Sequence, residues 1–146
     1  MPIRWVRDDA DLQGAIAVRE RVFIDEQGVP AEEELDGRDG EALHLVALDT
    51  GGERVVATLR LLLDGQTAKV GRVAVDRDFR RRGIAARMLD VALGRAGEHG
   101  ARRVRLASQL DVVALYERAG FVVESAVFEE AGIPHVWMGR DLGGVA

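Results

Sequence analysis

The chain has 146 residues, and its 25 acidic against 20 basic residues give a formal net charge of −5. This length is typical of one domain, and 47% hydrophobic with 31% charged residues exclude a disordered chain, so we expect a single domain over residues 1–146. The absence of cysteine excludes disulfides, thiolate nucleophiles and cysteine-based metal sites.

Charge and hydropathy also bear on location and partners. No uncharged run exceeds nine residues, the length of Ala131–Gly139, which argues against a membrane partner. The N-terminus lacks the long apolar stretch of a signal peptide, so we expect a cytoplasmic protein. The acidic balance argues against nucleic acid as a partner. One feature does not fit this ordinary picture: 19 of the 20 basic residues are arginine, and three of them stand together at Arg80–Arg82.

The first half of the chain alternates apolar and polar residues in the manner of strands, with one helical stretch near its start. Aspartates before that stretch are suited to capping the helix. Short glycine-containing turns join three consecutive strands, which indicates an antiparallel meander. In order we predict a strand over Ile3–Arg7, a helix from about Leu12 to Gly28, an acidic loop over Ala31–Glu41, and strands over Leu43–Leu48, Arg54–Leu63 and Thr67–Val75, with turns at Thr50–Gly52 and Asp64–Gly65.

The second half begins with apolar residues at helical spacing between Ile84 and Ala96. This helix joins two strands in a βαβ unit, so the strands on either side of it should be parallel. The whole pattern predicts an α/β fold in which helices flank a mixed sheet of about seven strands, with ligands bound at the carboxyl ends of strands. The remaining elements are a strand over Val104–Ala107, a helix around Val112–Tyr116 that ends at Gly120, and strands over Phe121–Phe128 and Ile133–Met138 around a turn at Glu129–Gly132.

The segment Val70–Asp90 is the most informative for function. A strand enters it, a turn with three arginines and Gly83 follows, and an amphipathic helix leaves. A helix N-terminus offers free N–H groups and a partial positive charge to an anion. Gly83 would let the backbone approach that anion, Ala85 would leave room, and the arginines would add forked donors. We interpret the turn as a pyrophosphate cradle, with a solvated charge cluster as the alternative; it is neither a Walker loop nor a GxGxxG fingerprint.

Arg80–Ala85, with the sequence RRRGIA, matches the R/Q-x-x-G-x-G/A motif of the GNAT superfamily of acyl-CoA-dependent N-acetyltransferases. The order of the predicted elements is similar to that fold over nearly the whole chain. Leu106–Phe121 resembles the family's second motif, with its Tyr-x-x-x-Gly-Phe ending, although Gln109 stands where many members have asparagine. A closer resemblance is to the ElaA-type branch, whose pattern is matched at Arg19, Val22, Phe23, Glu26, Gln27, Glu34, Asp36, His44, Leu45, Pro134, His135 and Met138.

The resemblance implies a place for acyl-CoA. Its pyrophosphate would lie on the backbone amides of Arg81–Ala85, and Arg77 and Arg80 could meet the outer phosphates. Its pantetheine arm would run beside the fourth strand, where that strand splays from the fifth, and would pair with backbone groups there. The implied cofactor-binding residues are Val73, Val75, Arg80, Arg81, Arg82, Gly83, Ile84, Ala85 and Gln109.

The resemblance also implies a reaction, the transfer of an acetyl group from acetyl-CoA to a primary amine by direct attack in a ternary complex. Tyr116 matches the family's acid position, and its phenol would stay protonated at neutral pH; a core tyrosine is the alternative. Glu26 is a candidate base whose pKa an apolar site could raise, His44 and His135 are others, and a water relay would need none of them. The residues expected to line the acceptor site are Phe23, Glu26, His44 and His135.

Several alternatives stay open. The acidic loop Ala31–Glu41 could attract a cationic acceptor or be a solvated surface loop. Arg19 lies within an apolar helix stripe and is expected to pair with Glu34 or Asp36. A non-catalytic acyl-CoA binding module would keep the arginine-glycine turn without needing an acid near the thioester. The spacing of the three histidines argues against a metal site. The sequence leaves the oligomeric state open, with a homodimer as one option because dimers are common among similar proteins.

Overall fold

The computed structural model describes residues 1–49, 51 and 54–143, so the turn predicted at Thr50–Gly52 lies outside the described residues apart from Gly51. The helices are α1 (Asp9–Arg19), which continues as a π-helical segment (Glu20–Glu26), α2 (Ala31–Glu34), α3 (Ile84–Glu98) and α4 (Val113–Arg118). The strands are β1 (Ile3–Trp5), β2 (Leu43–Leu48), β3 (Val55–Asp64), β4 (Thr67–Val75), β5 (Arg103–Gln109), β6 (Val122–Val123), β7 (Phe128–Glu130) and β8 (Ile133–Asp141).

These strands form one mixed sheet in the order β1-β2-β3-β4-β5-β8-β6, with β7 paired to β8. The predicted α/β fold with flanking helices is confirmed, and the described residues contain eight strands rather than about seven. The βαβ unit is confirmed as well, because β4 and β5 pair in parallel on either side of α3. The other strand pairs are antiparallel.

The core lies on both faces of the sheet. Successive residues of β2 alternate between two apolar clusters, because strand side chains point to opposite faces in turn. Leu45 belongs to the cluster that contains the buried side of α3, while Val46 belongs to the cluster that contains α1. The α3 side of the core has buried residues at helical spacing, namely Ile84, Met88, Leu89, Ala92, Leu93 and Ala96.

The first helix begins earlier than its apolar pattern indicates. The carboxylate of Asp8 accepts a hydrogen bond from the Asp11 N–H at 2.9 Å, and this cap starts α1 at Asp9 rather than near Leu12. The helix then widens into the π-helical segment and ends before Gly28, which has a φ of 74°. This end agrees with the prediction.

One predicted strand, Phe121–Phe128, is wrong. It is divided into β6 and β7, which pair with different parts of β8. Between them the hydroxyl of Ser125 accepts the Trp137 N–H at 2.9 Å, where a continuous strand would use a backbone carbonyl. A side-chain acceptor therefore interrupts the ladder, although the apolar alternation of the sequence continues through it.

Two irregularities of β4 shape the centre of the sheet. The register changes from Thr58–Ala74 to Arg60–Gly71, so two residues of β4 oppose one residue of β3 and form a bulge. Arg72 occupies this bulge with a left-handed φ of 52°. On its other side β4 pairs with β5 only over Thr67–Lys69, so the two strands separate beyond that point. The splay implied by the family resemblance is thus present.

Candidate active site

The N-terminus of α3 is open to an anion. Gly83 precedes the helix with a left-handed φ of 76°, a conformation that favours glycine, and its missing Cβ would point into open space. The first turn has no acidic residue, and no described side chain caps it. The first intrahelical bond after Gly83 runs from the Arg87 N–H to the Gly83 carbonyl at 3.1 Å. The N–H groups of Ile84 and Ala85 therefore have no acceptor within the helix.

The three arginines before this helix have different environments. Arg81 is exposed and has a left-handed φ of 63°. Arg82 is also exposed, and its guanidinium lies 5.0 Å from the centroid of the Phe79 ring. Arg80 instead donates to the Val75 carbonyl at 2.9 Å and to both carboxylate oxygens of Glu26 at 2.7 Å. Arg81 and Arg82 are thus available to an anion, whereas the Arg80 guanidinium is engaged by protein groups.

The environment of Glu26 corrects one expectation. Glu26 ends the π-helical segment and faces Arg80, with Arg77 3.8 Å away. The hydrogen bonds from Arg80 hold the pKa of the Glu26 carboxyl below its usual value, which outweighs the opposing effect of burial. The expected apolar site with a raised pKa is therefore wrong. An ionised carboxylate with a lowered pKa is a weak proton acceptor at neutral pH.

The splay between β4 and β5 places several predicted residues on its two sides. Val73 and Val75 are partly buried on β4 beyond the last pair with β5. Gln109 ends β5 and donates its side-chain amide to the Gln27 Oε1 at 2.9 Å. Gln27 follows the π-helical segment, so this bond ties the first helix to the far side of the splay. Sequence reasoning missed this contact, although both glutamines lie in the motifs it singled out.

Tyr116 is a buried residue of α4, with 6% of its surface exposed. Its ring lies edge-on to Phe121, with 6.1 Å between the centroids, and both rings belong to the apolar cluster against which Val73 and Val75 pack. Burial raises the pKa of the phenol, so the hydroxyl is protonated at neutral pH. Within the described residues this hydroxyl has no hydrogen-bond partner.

The two candidate histidines are both buried, and each contacts a backbone carbonyl. The Nε2 of His44 lies 2.9 Å from the Asp39 carbonyl, and His44 stands on β2, three positions from β5 in the sheet. The Nδ1 of His135 lies 2.7 Å from the Ile133 carbonyl, and His135 is directly opposite Gln109 across β8 and β5. Only His135 is therefore close to the splay. Phe23 is partly buried against the α1 cluster.

The predicted acidic loop contains α2 and a 3₁₀ turn at Asp39–Glu41, and its main carboxylates are paired with arginines. The prediction that Arg19 pairs with Glu34 is confirmed: its Nε lies 2.5 Å from that carboxylate, and its Nη1 lies 2.8 Å from Asp39. Asp36 pairs with Arg60 instead, at 2.8 Å, and this pairing holds its pKa far below the usual value. Four of the six loop carboxylates are thus paired with arginines, whereas Glu32 and Glu33 are exposed and have no ion pair within the described residues.

Two absences hold for residues 1–49, 51 and 54–143. No group of three or more histidine and carboxylate side chains in this part of the chain is arranged to hold a metal ion. None of the helices described there is long and apolar enough to cross a membrane.

Comparisons with known proteins agree on one family. A family model described as an acetyltransferase (GNAT) domain matches residues 6–142. The uncharacterized N-acetyltransferase YjcF of Bacillus subtilis is 34% identical over 136 residues, which cover 92% of this chain and 96% of YjcF. The crystal structure of an acyl-CoA N-acyltransferase from Pseudomonas aeruginosa has a TM-score of 0.82 at 30% identity and covers 95% of this chain and 99% of its own. The crystal structure of ElaA from Escherichia coli has a TM-score of 0.86 at 25% identity, and the match covers 97% of this chain and 100% of ElaA.

Proposed function

Since the chain belongs to the acetyltransferase (GNAT) domain family, we propose that it transfers an acetyl group from acetyl-CoA to a primary amine by direct attack in a ternary complex. The observation that carries this proposal is the uncapped N-terminus of α3 behind Gly83, at the end of the strand that splays from β5. A phosphate-rich substrate with a long thin arm is suited to such a combination of amides and slot.

We assign the pyrophosphate of acetyl-CoA to the backbone N–H groups of Ile84 and Ala85. Arg81 and Arg82 are exposed beside them and supply positive charge and forked donors. The pantetheine arm would extend along β4 and use backbone groups at Val73 and Val75. Gln109 would line the opposite side of the slot. Arg80 would act indirectly, because its bonds to the Val75 carbonyl and to Glu26 fix the end of β4.

The proposed chemistry needs no covalent enzyme intermediate. The neutral amine nitrogen attacks the thioester carbon, a C–N bond forms, the C–S bond breaks, and the thiolate of CoA leaves. Backbone N–H groups near the β4 bulge would stabilise the oxyanion. The hydroxyl of Tyr116 would protonate the thiolate of CoA. Burial raises the pKa of the phenol, and it would also raise the pKa of the CoA thiol in the same site, so the thiolate there would take up a proton more readily than in water.

The amine proton has to leave by another route. The lowered pKa of Glu26 and its bonds to Arg80 argue against a direct base at that position. We therefore propose that water accepts the proton, and that Glu26 positions Arg80. Whether the chain forms a homodimer is tested by its hydrodynamic radius, and the expected cytoplasmic location is tested by fractionation of cells.

A screen of primary amines with acetyl-CoA, followed by thiol release, tests the proposed function. We expect release of one CoA for each amine acetylated, and mass spectrometry of the product should show one acetyl group added to the amine. Binding of acetyl-CoA without turnover for any amine would instead favour the non-catalytic binding module. Failure to bind acetyl-CoA would overturn both.

A further inference from the structure

We propose that the amine acceptor also carries an anionic group, a carboxylate or a phosphate, and that Lys69 and Arg105 bind this group beside the ring of Trp137. The inference rests on the proposed function, since it names the class of acceptor for that reaction. We call the surface formed by Lys69, Arg105, Phe128, His135 and Trp137 the Trp137 basin.

The basin lies at the floor of the splay. Lys69 and Arg105 form the last pair of residues before β4 and β5 separate. The Nζ of Lys69 is 5.2 Å from the centroid of the Trp137 ring, and the guanidinium carbon of Arg105 is 4.7 Å from it. Two cations from different strands therefore contact one aromatic ring, next to the slot that we assign to the pantetheine arm.

The aromatic rings give the basin a flat wall. Trp137 stacks on Phe128 with 5.7 Å between centroids, and Phe128 stacks on His135 at 5.9 Å. Trp137 and His135 alternate along β8 with the buried residues Val136 and Met138, which belong to the α3 cluster. The basin is therefore on the opposite face of the sheet, and Trp137 and Phe128 are partly exposed there.

Lys69 has no ion-pair or hydrogen-bond partner within the described residues, although it is partly buried. The buried arginines behave differently, because Arg19 and Arg60 each contact two carboxylates. Burial lowers the pKa of the Lys69 ammonium, Glu130 opposes this change, and nearby arginines add to it. A cation left unpaired in such a place is best satisfied by an anion that arrives with a ligand.

The local charges agree with this direction. The charged neighbours that act on Lys69 are three arginines, at positions 38, 60 and 72, and one carboxylate, Glu130. Arg105 has Glu124 3.7 Å from its Nε, and its side chain is 42% exposed. Arg38, Arg60 and Arg72 are paired with carboxylates of the acidic loop, so the cations that remain for a ligand at the basin are Lys69 and the half-exposed Arg105. An acceptor with an anionic group is complementary to this surface, and a purely cationic acceptor is not.

Matched ligands and one fluorescent side chain test the inference without turnover. In a Trp5→Phe background Trp137 is the remaining tryptophan, since the chain has two. The emission of Trp137 is followed while amines are added in two matched series. The alkyl series compares butylamine with 4-aminobutyrate and 3-aminopropylphosphonate, and the benzyl series compares 4-methylbenzylamine with 4-(aminomethyl)benzoate. We expect at least one of the amines that carry an anionic group to change the emission at about tenfold lower concentration than its counterpart without that group. The carboxylate and phosphonate arms identify which anion is preferred.

Variants of the basin complete the test. Lys69→Met should remove the preference for the anionic amine, Lys69→Arg should retain it, and the exposed Arg102→Met should leave it unchanged as a charge-matched control. Equal responses to both members of every pair overturn the inference, and so does an undiminished preference in Lys69→Met. A change in Trp137 emission that depends on protein concentration alone would assign the basin to a second copy of the chain and would also overturn it.

The two proposals fail separately. Acetyl-CoA affinity and thiol release are measured on the same variants, and Lys69→Met should bind acetyl-CoA as the parent does. Loss of acetyl-CoA binding in the parent overturns the proposed function. Intact turnover of amines with no preference for an anionic group overturns the anionic acceptor alone.

Discussion

The buried ion pair between Arg19 and Glu34 is expected to dominate the stability of the loop that follows the first helix. Arg19 is 1% exposed and Glu34 is 3% exposed, so neither charge can be solvated when its partner is lost. Removal of one partner of a buried pair costs about 3–5 kcal/mol. In Arg19→Met, Glu34 still has Arg72 at 3.7 Å and Asp39 still has Arg60 at 3.1 Å. Because these partners remain, we expect the free energy of unfolding to fall by about 3 kcal/mol, the lower end of that range.

Urea unfolding at neutral pH measures this loss, and thermal unfolding provides a check. For a chain of this length about 3 kcal/mol corresponds to a fall in Tm of roughly 10 °C. Arg38→Met in the same loop is the matched control, because its pair with Glu41 is exposed on both sides and should contribute less than about 1 kcal/mol. In the double variant Arg19→Met/Glu34→Leu we expect part of the loss to be recovered, since the buried Glu34 carboxylate that lost its partner is then removed as well.

The result that refutes this reasoning is a loss below about 1 kcal/mol in Arg19→Met, within the range of an exposed pair. A double variant that is less stable than Arg19→Met would also contradict it, because the pair would then contribute more through packing than through charge.

Three further predictions concern catalysis and pH. Tyr116→Phe should lower kcat about 100-fold or more with little change in the urea midpoint, and an unchanged kcat would reduce Tyr116 to packing. The folded-state pKa of Asp36 lies below its unfolded value near ~4, so the stability that its Arg60 pair contributes is complete above that pH and is lost as the pH falls. Asp36→Asn should therefore flatten the acid side of the stability profile measured by urea unfolding. Glu26→Gln should keep the acidic limb of the kcat/KM profile, and its disappearance would restore Glu26 as the base.

Features set by neighbouring residues could be predicted from the sequence. The uncapped helix N-terminus behind Gly83 is one example, because a glycine at the start of an amphipathic helix, preceded by arginines, is a local arrangement. The need of Arg19 for a partner is another, since a charge within an apolar stripe is costly unless it is paired. The pairing of Arg60 with Asp36 and Asp39, by contrast, depends on how the acidic loop folds over β3.

Features set by distant residues could not be predicted. The pKa of Glu26 is lowered by Arg80, which is 54 positions away in the chain. The division of β6 from β7 depends on a Ser125 hydroxyl that reaches Trp137 across the sheet. Lys69 has the sequence context of an ordinary strand lysine, and its place beside Trp137 follows only from the pairing of β4, β5 and β8.

The most direct measurement of the central claim is the affinity of Gly83→Glu for acetyl-CoA by isothermal titration calorimetry. Gly65→Glu is the matched control, because Gly65 also has a left-handed φ, 64°, and open space around it, but lies in the turn between β3 and β4. We predict that Gly83→Glu weakens acetyl-CoA binding at least about 100-fold, since a carboxylate would crowd and repel the pyrophosphate, while Gly65→Glu binds as the parent does. Equal affinity in Gly83→Glu and the parent would contradict the assignment of the α3 N-terminus as the acetyl-CoA site.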